Sequence, residues 1–288
     1  MKRTRGMEKR HNDIWFTEYQ TKYLRLGLSI TRVLANTQTP YQHLLVVETD
    51  QYGRLMALDG AIQVTEKDEF TYHEMLTHVV LTAHPNPQRV LIVGGGDGGS
   101  AREALKHPSV EEVVLVDIDQ EVINASRQFF PSLSAGFDDP RVGILNMDAL
   151  EYVRGKDGEF DIVIIDSTDP VDFAEGLFGE PFYRDVHRAL NDDGLMAAQT
   201  ESPFTDPDIL SGSSSAMRAV FPIVKVYWGV MPTYPTGMWT YLAGSKAHDP
   251  EEPRSLLPEG TRYYSDGIHR AAFALPPFLE ALLNERKD

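Results

Sequence analysis

A chain of 288 residues with 42% hydrophobic and 24% charged side chains has the balance of an ordinary globular protein with a sizeable core, which excludes a mainly disordered, collagen-like or coiled-coil chain. The 27 basic and 43 acidic side chains leave a formal net charge of −16, so nucleic acid is excluded as a partner by repulsion and small cationic ligands are favoured. With no cysteine there is no disulfide, no thiolate metal site and no cysteine nucleophile, and no metal centre is expected. The basic start, Met1 to Arg10, is followed by no apolar run and no stretch reaches the length of a membrane span, so the expectation is a cytoplasmic protein without a membrane partner. Met7 stands beside Met1 as an alternative start.

Up to about Thr65, short alternating segments at 23–34, 43–49, 54–58 and 61–65 are broken by Thr39-Pro40, by residues 50–53 and by Asp59-Gly60. This predicts a small antiparallel sheet. Residues 67–83 place Phe70, Met75, Leu76, Val79 and Val80 at helical spacing and stop at His84-Pro85-Asn86-Pro87, which predicts an amphipathic helix and a boundary. The expected organisation is an N-terminal β-domain over 1–66 and a catalytic domain over 67–288, with 67–87 as connecting helix and Pro-rich junction.

From Arg89 the apolar runs 90–93, 113–116, 142–145, 162–165 and 195–198 alternate with helical stretches at 100–106, 120–130, 149–154, 181–190 and 206–221. Strands buried on both faces and separated by helices predict βαβ units, a mostly parallel sheet and a ligand crevice at the strands' carboxyl ends. Runs 223–230 and 238–243 should close the sheet as a hairpin. An acidic, Pro-rich connection over 248–258 and a short helix over 277–284 complete the chain.

After the run that ends at Val93 comes Gly94-Gly95-Gly96-Asp97-Gly98-Gly99, in which Gly94, Gly96 and Gly99 fit G-x-G-x-x-G in a strand-turn-helix setting. Asp117, ending the next strand, is placed to accept bonds from ribose hydroxyls. A dinucleotide is the default occupant of such a turn, but Asp97 within it repels a pyrophosphate and pairs with a primary ammonium. Asp148 follows the third strand, where it either binds an adenine amino group or caps the helix from Ala149. At the end of the fourth strand stand Asp166-Ser167-Thr168-Asp169-Pro170, two carboxylates at the crevice edge, followed by an apolar, aromatic stretch over 171–178 suited to a lid.

Taken in order, Trp15-Phe16-Thr17-Glu18, Tyr41-Gln42, Leu58-Asp59-Gly60, the run Thr65-Glu66-Lys67-Asp68-Glu69-Phe70-Thr71-Tyr72-His73-Glu74-Met75, the glycine turn, Asp166 to Pro170, Gln199-Thr200 and Tyr234-Pro235-Thr236-Gly237-Met238-Trp239 resemble the polyamine aminopropyltransferases, the spermidine synthase family, over nearly the whole chain. The resemblance implies an adenosylmethionine methyltransferase-like Rossmann α/β domain behind a small antiparallel β-domain. It implies transfer of the aminopropyl group of decarboxylated S-adenosylmethionine, a co-substrate rather than a tightly bound cofactor, to a small cationic amine. Putrescine is the usual acceptor, and spermidine and methylthioadenosine are the products. It further implies a homodimer or homotetramer.

Carried over by motif, Asp166 is the base and Tyr72 steadies the attacking nitrogen. Asp169, Ser167, Thr168, Gln199 and Tyr234 hold the amine, and Asp97 with His73 receives the aminopropyl ammonium. Gln42 and Asp117 meet the ribose, Asp148 and Ala149 the adenine, and Gly94 and Gly96 let backbone approach the nucleoside. Two departures stand out: Asp117 replaces a common Glu, and Phe173 replaces a common Pro in the lid. The rival readings are the same transfer to agmatine, cadaverine or a triamine, an S-adenosylmethionine-dependent amine N-methyltransferase, a binding module that has lost its chemistry and, more distantly, an NAD oxidoreductase.

Overall fold

Residues 14–168 and 176–284 are described by the structure, a computed structural model. Strands β1 (Ile14–Tyr19), β2 (Arg25–Gln38), β3 (His43–Thr49), β4 (Gly53–Leu58) and β5 (Ala61–Thr65) pair antiparallel in chain order. Period-two alternation sends Leu44, Val46, Met56, Leu58 and Val64 to one face, where they pack on Val122, Ala125, Phe130 and Leu133 of the second part of the molecule. Phe16, Leu28, Val47, Leu55, Ala57 and Ile62 fill the other.

The sequence pattern misses β1, because its two buried positions are Phe16 and Glu18 and an inward-facing acid breaks the apolar alternation. Strand β2 runs on to Gln38 rather than ending near 34. Its last residues are exposed and polar, and pairing with β3 from Ile30↔Thr49 to Gln38↔His43 sustains them.

Helix α1 (Glu69–Ala83) is not amphipathic, contrary to the pattern reading: apart from Phe70 every residue in it is buried. Its ionisable side chains face polar partners instead of water. Glu74, 1% exposed, accepts the backbone N–H groups of Arg262, Tyr263 and Tyr264 at 2.7 to 3.1 Å, which fastens the C-terminal segment to the helix.

The second sheet contains β6 (Arg89–Gly94), β7 (Glu112–Asp117), β8 (Val142–Asn146), β9 (Phe160–Asp166), β10 (Leu190–Gln199), β11 (Ile223–Val230) and β12 (Met238–Ser245). Their order is β11-β12-β10-β9-β6-β7-β8, parallel from β10 to β8, with the predicted hairpin of β11 and β12 antiparallel at the other edge. Burial on both faces holds for the central strands. It fails at β8, an edge strand with no fully buried residue.

Helices α2 (Gly99–Ala104), α3 (Gln120–Phe129), α4 (Ala149–Arg154), α5 (Glu180–Ala189), α6 (Pro207–Arg218), α7 (Asp266–Ala272) and α8 (Pro277–Asn284) complete the fold. Helices α1, α2 and α7 pack on one face, and α4, α5, α6 and α8 on the other. Seven-residue α7, capped by Ser265, is too short for a periodicity to register and has no counterpart in the sequence reading. No helix among the described residues is long and apolar enough to cross a membrane.

Replacing Glu74 by Ala strands three backbone donors together and should lower the unfolding free energy by about 2–3 kcal/mol, read by urea denaturation. Glu74→Gln keeps one acceptor oxygen and should lose less.

Candidate active site

The chain runs outward from β6 through β7 to β8, then crosses back to place β9 on the other side of β6, so a crevice opens where the carboxyl ends of β6 and β9 part. Gly94 ends β6 with φ +79°, and a Cβ there would stand 2.2 Å from the Asp166 carbonyl oxygen. A Cβ on Gly99 would fall 2.3 Å from the His73 ring. Only glycine lets the turn sit this close to both neighbours. The Gly95 N–H donates to the Asp166 carbonyl at 2.8 Å and closes the turn on β9.

The crevice deepens into a cleft between the two sheets. The first part of the chain contributes Glu18, Gln42, Met56, Leu58, Ala61, Ile62 and Gln63, and the second part supplies the rest. Six carboxylates line it, from Glu18, Asp97, Asp117, Asp148, Asp166 and Glu201, and no Lys, Arg or His does so among the described residues. Apolar walls from Leu58, Ile62, Val93, Val116 and Leu177 lower the local dielectric and strengthen that field.

At the β7 side, Asp117 accepts the Gly96 N–H at 3.0 Å and the Asp119 N–H at 2.8 Å. Burial nevertheless pushes its pKa up to about 6. Gln42 lines the cleft with its amide nitrogen donating to Asp119 at 3.0 Å, and Thr39 donates to the same oxygen at 2.7 Å, which ties the first sheet to the start of α3. Asp148 accepts the Leu150 N–H at 2.8 Å, so the cap for α4 is real, and it and Ala149 also form cleft wall.

Asp166 sits at the centre. Its two oxygens accept the Tyr72 hydroxyl at 2.8 Å and the Ser100 hydroxyl at 2.6 Å. Burial and then the Asp97 charge raise its pKa above the usual carboxylate value, against the opposing pull of His73, Ser100 and Tyr72. Tyr72 stays a protonated donor, since burial and the adjacent Asp166 carboxylate hold its pKa well above the ordinary phenol.

The Tyr72 and Tyr234 rings lie 5.6 Å apart and the Tyr234 and Trp239 rings 4.6 Å, an aromatic wall beside the carboxylates. Tyr234 donates its hydroxyl proton to the Gln63 carbonyl, which fixes its ring in the cleft wall. Gln199 donates to the Ser167 carbonyl at 3.3 Å and to Glu201 at 3.1 Å and accepts the Glu201 N–H at 3.0 Å, so its amide shapes the wall. Glu201 holds φ +65°, a strained setting for a non-glycine residue and one that marks functional turns. Buried polar atoms without a protein partner, Trp239 Nε1 and the Ser167 hydroxyl, belong to residues of the same cleft.

Asp97 accepts the Gly99 N–H at 2.6 Å and faces His73 Nε2 at 3.2 Å. His73, expected beside Asp97 at the aminopropyl ammonium, is in contact with Asp97 and is not itself among the residues that line the cleft. It is 1% exposed and stands behind Asp97. Thr168 lines the cleft, whereas Asp169 and residues 170–175, including Phe173, lie outside the described residues. Sequence reasoning did not single out Glu18, Gln63, Ser100 or Glu201 as site residues. Ser100 directly follows the glycine turn and Glu201 lies two residues beyond Gln199, so proximity was the available signal.

One trio of metal-ligating side chains comes together among the described residues, His84, Asp193 and His248, at the opposite end of the sheet. The Asn86 N–H donates to His84 Nδ1 at 3.1 Å, which puts the proton of the neutral ring on Nε2, facing Asp193 at 3.5 Å. A protonated Nε2 offers no lone pair to a metal, so the trio is a polar clamp between the end of α1, β10 and the segment after β12.

Comparison with known proteins agrees with this architecture. The family of the spermine/spermidine synthase domain matches residues 69–253, and that of the spermidine synthase tetramerisation domain matches residues 14–66. The polyamine aminopropyltransferase of Thermoanaerobacter sp. (strain X514) is 49% identical over 275 residues, covering 95% of this chain and 99% of that protein. A crystal structure of a spermidine synthase in complex with the transition-state analogue AdoDATO superimposes with a TM-score of 0.90 at 42% identity, covering 96% of this chain and 98% of the other. The spermidine synthase of Thermotoga maritima gives 0.89 at 42% identity, with 96% and 97% covered.

Proposed function

The chain belongs to the spermine/spermidine synthase family of polyamine aminopropyltransferases, and from that premise we propose that it transfers the aminopropyl group of decarboxylated S-adenosylmethionine to putrescine, releasing spermidine and methylthioadenosine. The observation that carries this reading is the cleft itself, lined by six carboxylates and by no basic side chain among the described residues. Such a field selects a donor with a sulfonium and an ammonium, together with an acceptor that is a cation in water.

In this reading Gly94 and Gly96 bring backbone against the nucleoside, Asp117 and Gln42 hold the ribose, and Asp148 and Ala149 meet the adenine. Asp97 takes the donor's ammonium. An intact adenosylmethionine would set its own carboxylate against Asp97, which disfavours the methyltransferase alternative.

A primary amine is protonated at neutral pH and must shed a proton before it can attack. Asp166, raised in pKa by burial and by Asp97, takes that proton, while Tyr72 donates to one of its oxygens and Ser100 to the other. The freed nitrogen lone pair attacks the carbon next to the sulfonium. The carbon–sulfur bond breaks, its electron pair stays on sulfur, and the neutral thioether departs. Ser167, Thr168, Gln199 and Tyr234 surround the amine, with Asp169 as a further proposed contact. Glu18 and Glu201 add carboxylates for the distal ammonium of a diamine in the cleft that Tyr234 also lines.

The tetramerisation-domain match over 14–66 supports assembly into a homo-oligomer through the first part of the chain, with residues 67–288 as the catalytic part. Trp15, Tyr19 and Val33 are 56%, 66% and 51% exposed on β1 and β2, the kind of apolar surface that a second copy covers.

Turnover with decarboxylated S-adenosylmethionine against putrescine, cadaverine, agmatine and a triamine, read by product mass, should give the largest kcat/KM with putrescine. Preference for agmatine would refute the acceptor and leave the transfer chemistry standing, and turnover with intact adenosylmethionine would favour the methyltransferase. Asp166→Asn should lower kcat by about 10²–10⁴-fold, with partial recovery as pH rises and free amine accumulates; near wild-type turnover at neutral pH would assign the proton to another group. In sedimentation, the chain should run as a multimer and the double variant Trp15→Glu, Val33→Glu as a smaller species.

A further inference from the structure

His73 is buried, and both of its ring nitrogens face carboxylates. Nδ1 lies 2.8 Å from Glu69 and Nε2 lies 3.2 Å from Asp97. An ionised carboxylate only accepts hydrogen bonds, so a ring that satisfies both carries two protons and is an imidazolium. The ring has no room to turn away, with Gly99 pressed against it and the Tyr72 ring edge-on at 5.3 Å.

Behind it runs a row of alternating charge. Arg102 reaches Glu69 at 2.8 Å and Glu103 at 2.7 Å, and Lys106 also pairs with Glu103. Asp97, Glu69 and Glu103 against His73, Arg102 and Lys106 make three negative and three positive groups, a row that is neutral as it stands. It ends at Asp97, which lines the cleft.

A donor ammonium that docks on Asp97 adds a fourth cation at the end of that row, so that one carboxylate then serves two. Arg102 does not give up a proton, and Lys106 lies at the far end. Imidazole is the group in the row that titrates near neutrality. We propose that the His73 proton is the resident counter-ion of Asp97 in the free enzyme and that the donor's ammonium displaces it, so that donor binding releases a proton that methylthioadenosine binding does not. This rests on the co-substrate proposed above. His73 is then a positioning residue, acting on the donor through Asp97.

The groups that face His73 set the balance from every side. Glu69 comes from α1 itself, Asp97 from the glycine turn, Arg102 from α2 by way of Glu69, and Asp166 from β9, while the Tyr72 phenol stays neutral. Burial works against the His73 charge, but Asp97 and Glu69 outweigh it and hold the pKa well above that of ordinary imidazole. Because a raised pKa keeps the ring protonated at neutral pH, donor affinity should climb as pH rises and the proton becomes easier to displace, by at most about tenfold per unit for one proton. Asp117, at about 6, titrates beneath the ribose that both nucleosides carry, so its contribution cancels in the comparison.

The test is calorimetry from about pH 6 to about pH 9, between ordinary imidazole and ordinary ammonium, with decarboxylated S-adenosylmethionine and with methylthioadenosine, each in two buffers of different ionisation enthalpy. The expected result is a buffer-dependent heat and a rising affinity for the donor beyond any seen with methylthioadenosine. His73→Gln should abolish that difference while methylthioadenosine still binds, and Glu69→Gln should move the release to lower pH. Buffer-independent donor binding, or proton release that survives in His73→Gln, would overturn the inference and leave the co-substrate standing. Binding of methylthioadenosine without any binding of the donor would overturn both.

Discussion

A carboxylate taken out of water loses several kcal/mol of hydration unless donors replace that water, and this demand organises the centre of the molecule. Asp166 draws its donors from α1 through Tyr72 and from α2 through Ser100, while its own carbonyl receives the Gly95 N–H. Each contact needs a close approach: Gly94 for the turn against β9, Gly99 for α1 against α2. The glycine pattern is thus a requirement of packing around buried acids as well as of the proposed room for a nucleoside. Helix α1 follows from the same demand, since a helix buried almost all round and carrying Glu69, His73, Glu74 and His78 is stable where each has a polar partner.

The charge of −16 acquires a location. Much of it is solvated surface, but six acids converge on one cleft with apolar walls, where their effect on a cation is larger than on an open face. Their mutual repulsion would raise every pKa there if none were compensated. The compensation is graded. Asp97, against His73, is held below the ordinary carboxylate value although burial opposes it, whereas Asp166 and Asp117, which lack a cation in contact, are pushed up. In the proposed reaction the first is a charged anchor and the second a proton acceptor, and the contact with a single buried imidazole separates them.

How much of this was legible in the sequence depends on whether a residue's role lies in a local pattern. The parallel strands read clearly because runs such as Val90 to Val93 and Ile162 to Ile165 are apolar on both faces, and the glycine turn read clearly because it sits between strand and helix. Asp166 and Asp117 read as cleft-lining because strand ends point at the crevice. The buried polarity of α1 was hidden, since helical spacing of Phe70, Met75 and Val79 says which side is apolar and nothing about what the other side meets. The contacts of His73 are hidden by the same limit: its neighbours Asp97 and Gly99 are more than twenty residues away, so they meet it only when α1 and α2 pack.

Strand β1 shows why sequence and site are hardest to connect at the edge of the first sheet. Its side chains alternate, with Phe16 and Glu18 inward and Trp15, Thr17 and Tyr19 outward, so one short strand carries a cleft carboxylate and an exposed apolar face. Glu18 keeps its place by accepting the Ile62 N–H of β5 at 2.9 Å and the Gln20 amide at 3.1 Å, and the strand keeps its register by pairing Ile14 to Tyr19 with Ile30 to Arg25 of β2. Edge strands with exposed apolar side chains are stabilised when another surface covers them. In the proposed oligomer that cover falls on the strand that aims Glu18, which makes assembly and the shape of the Glu18 end of the cleft consequences of the same six residues.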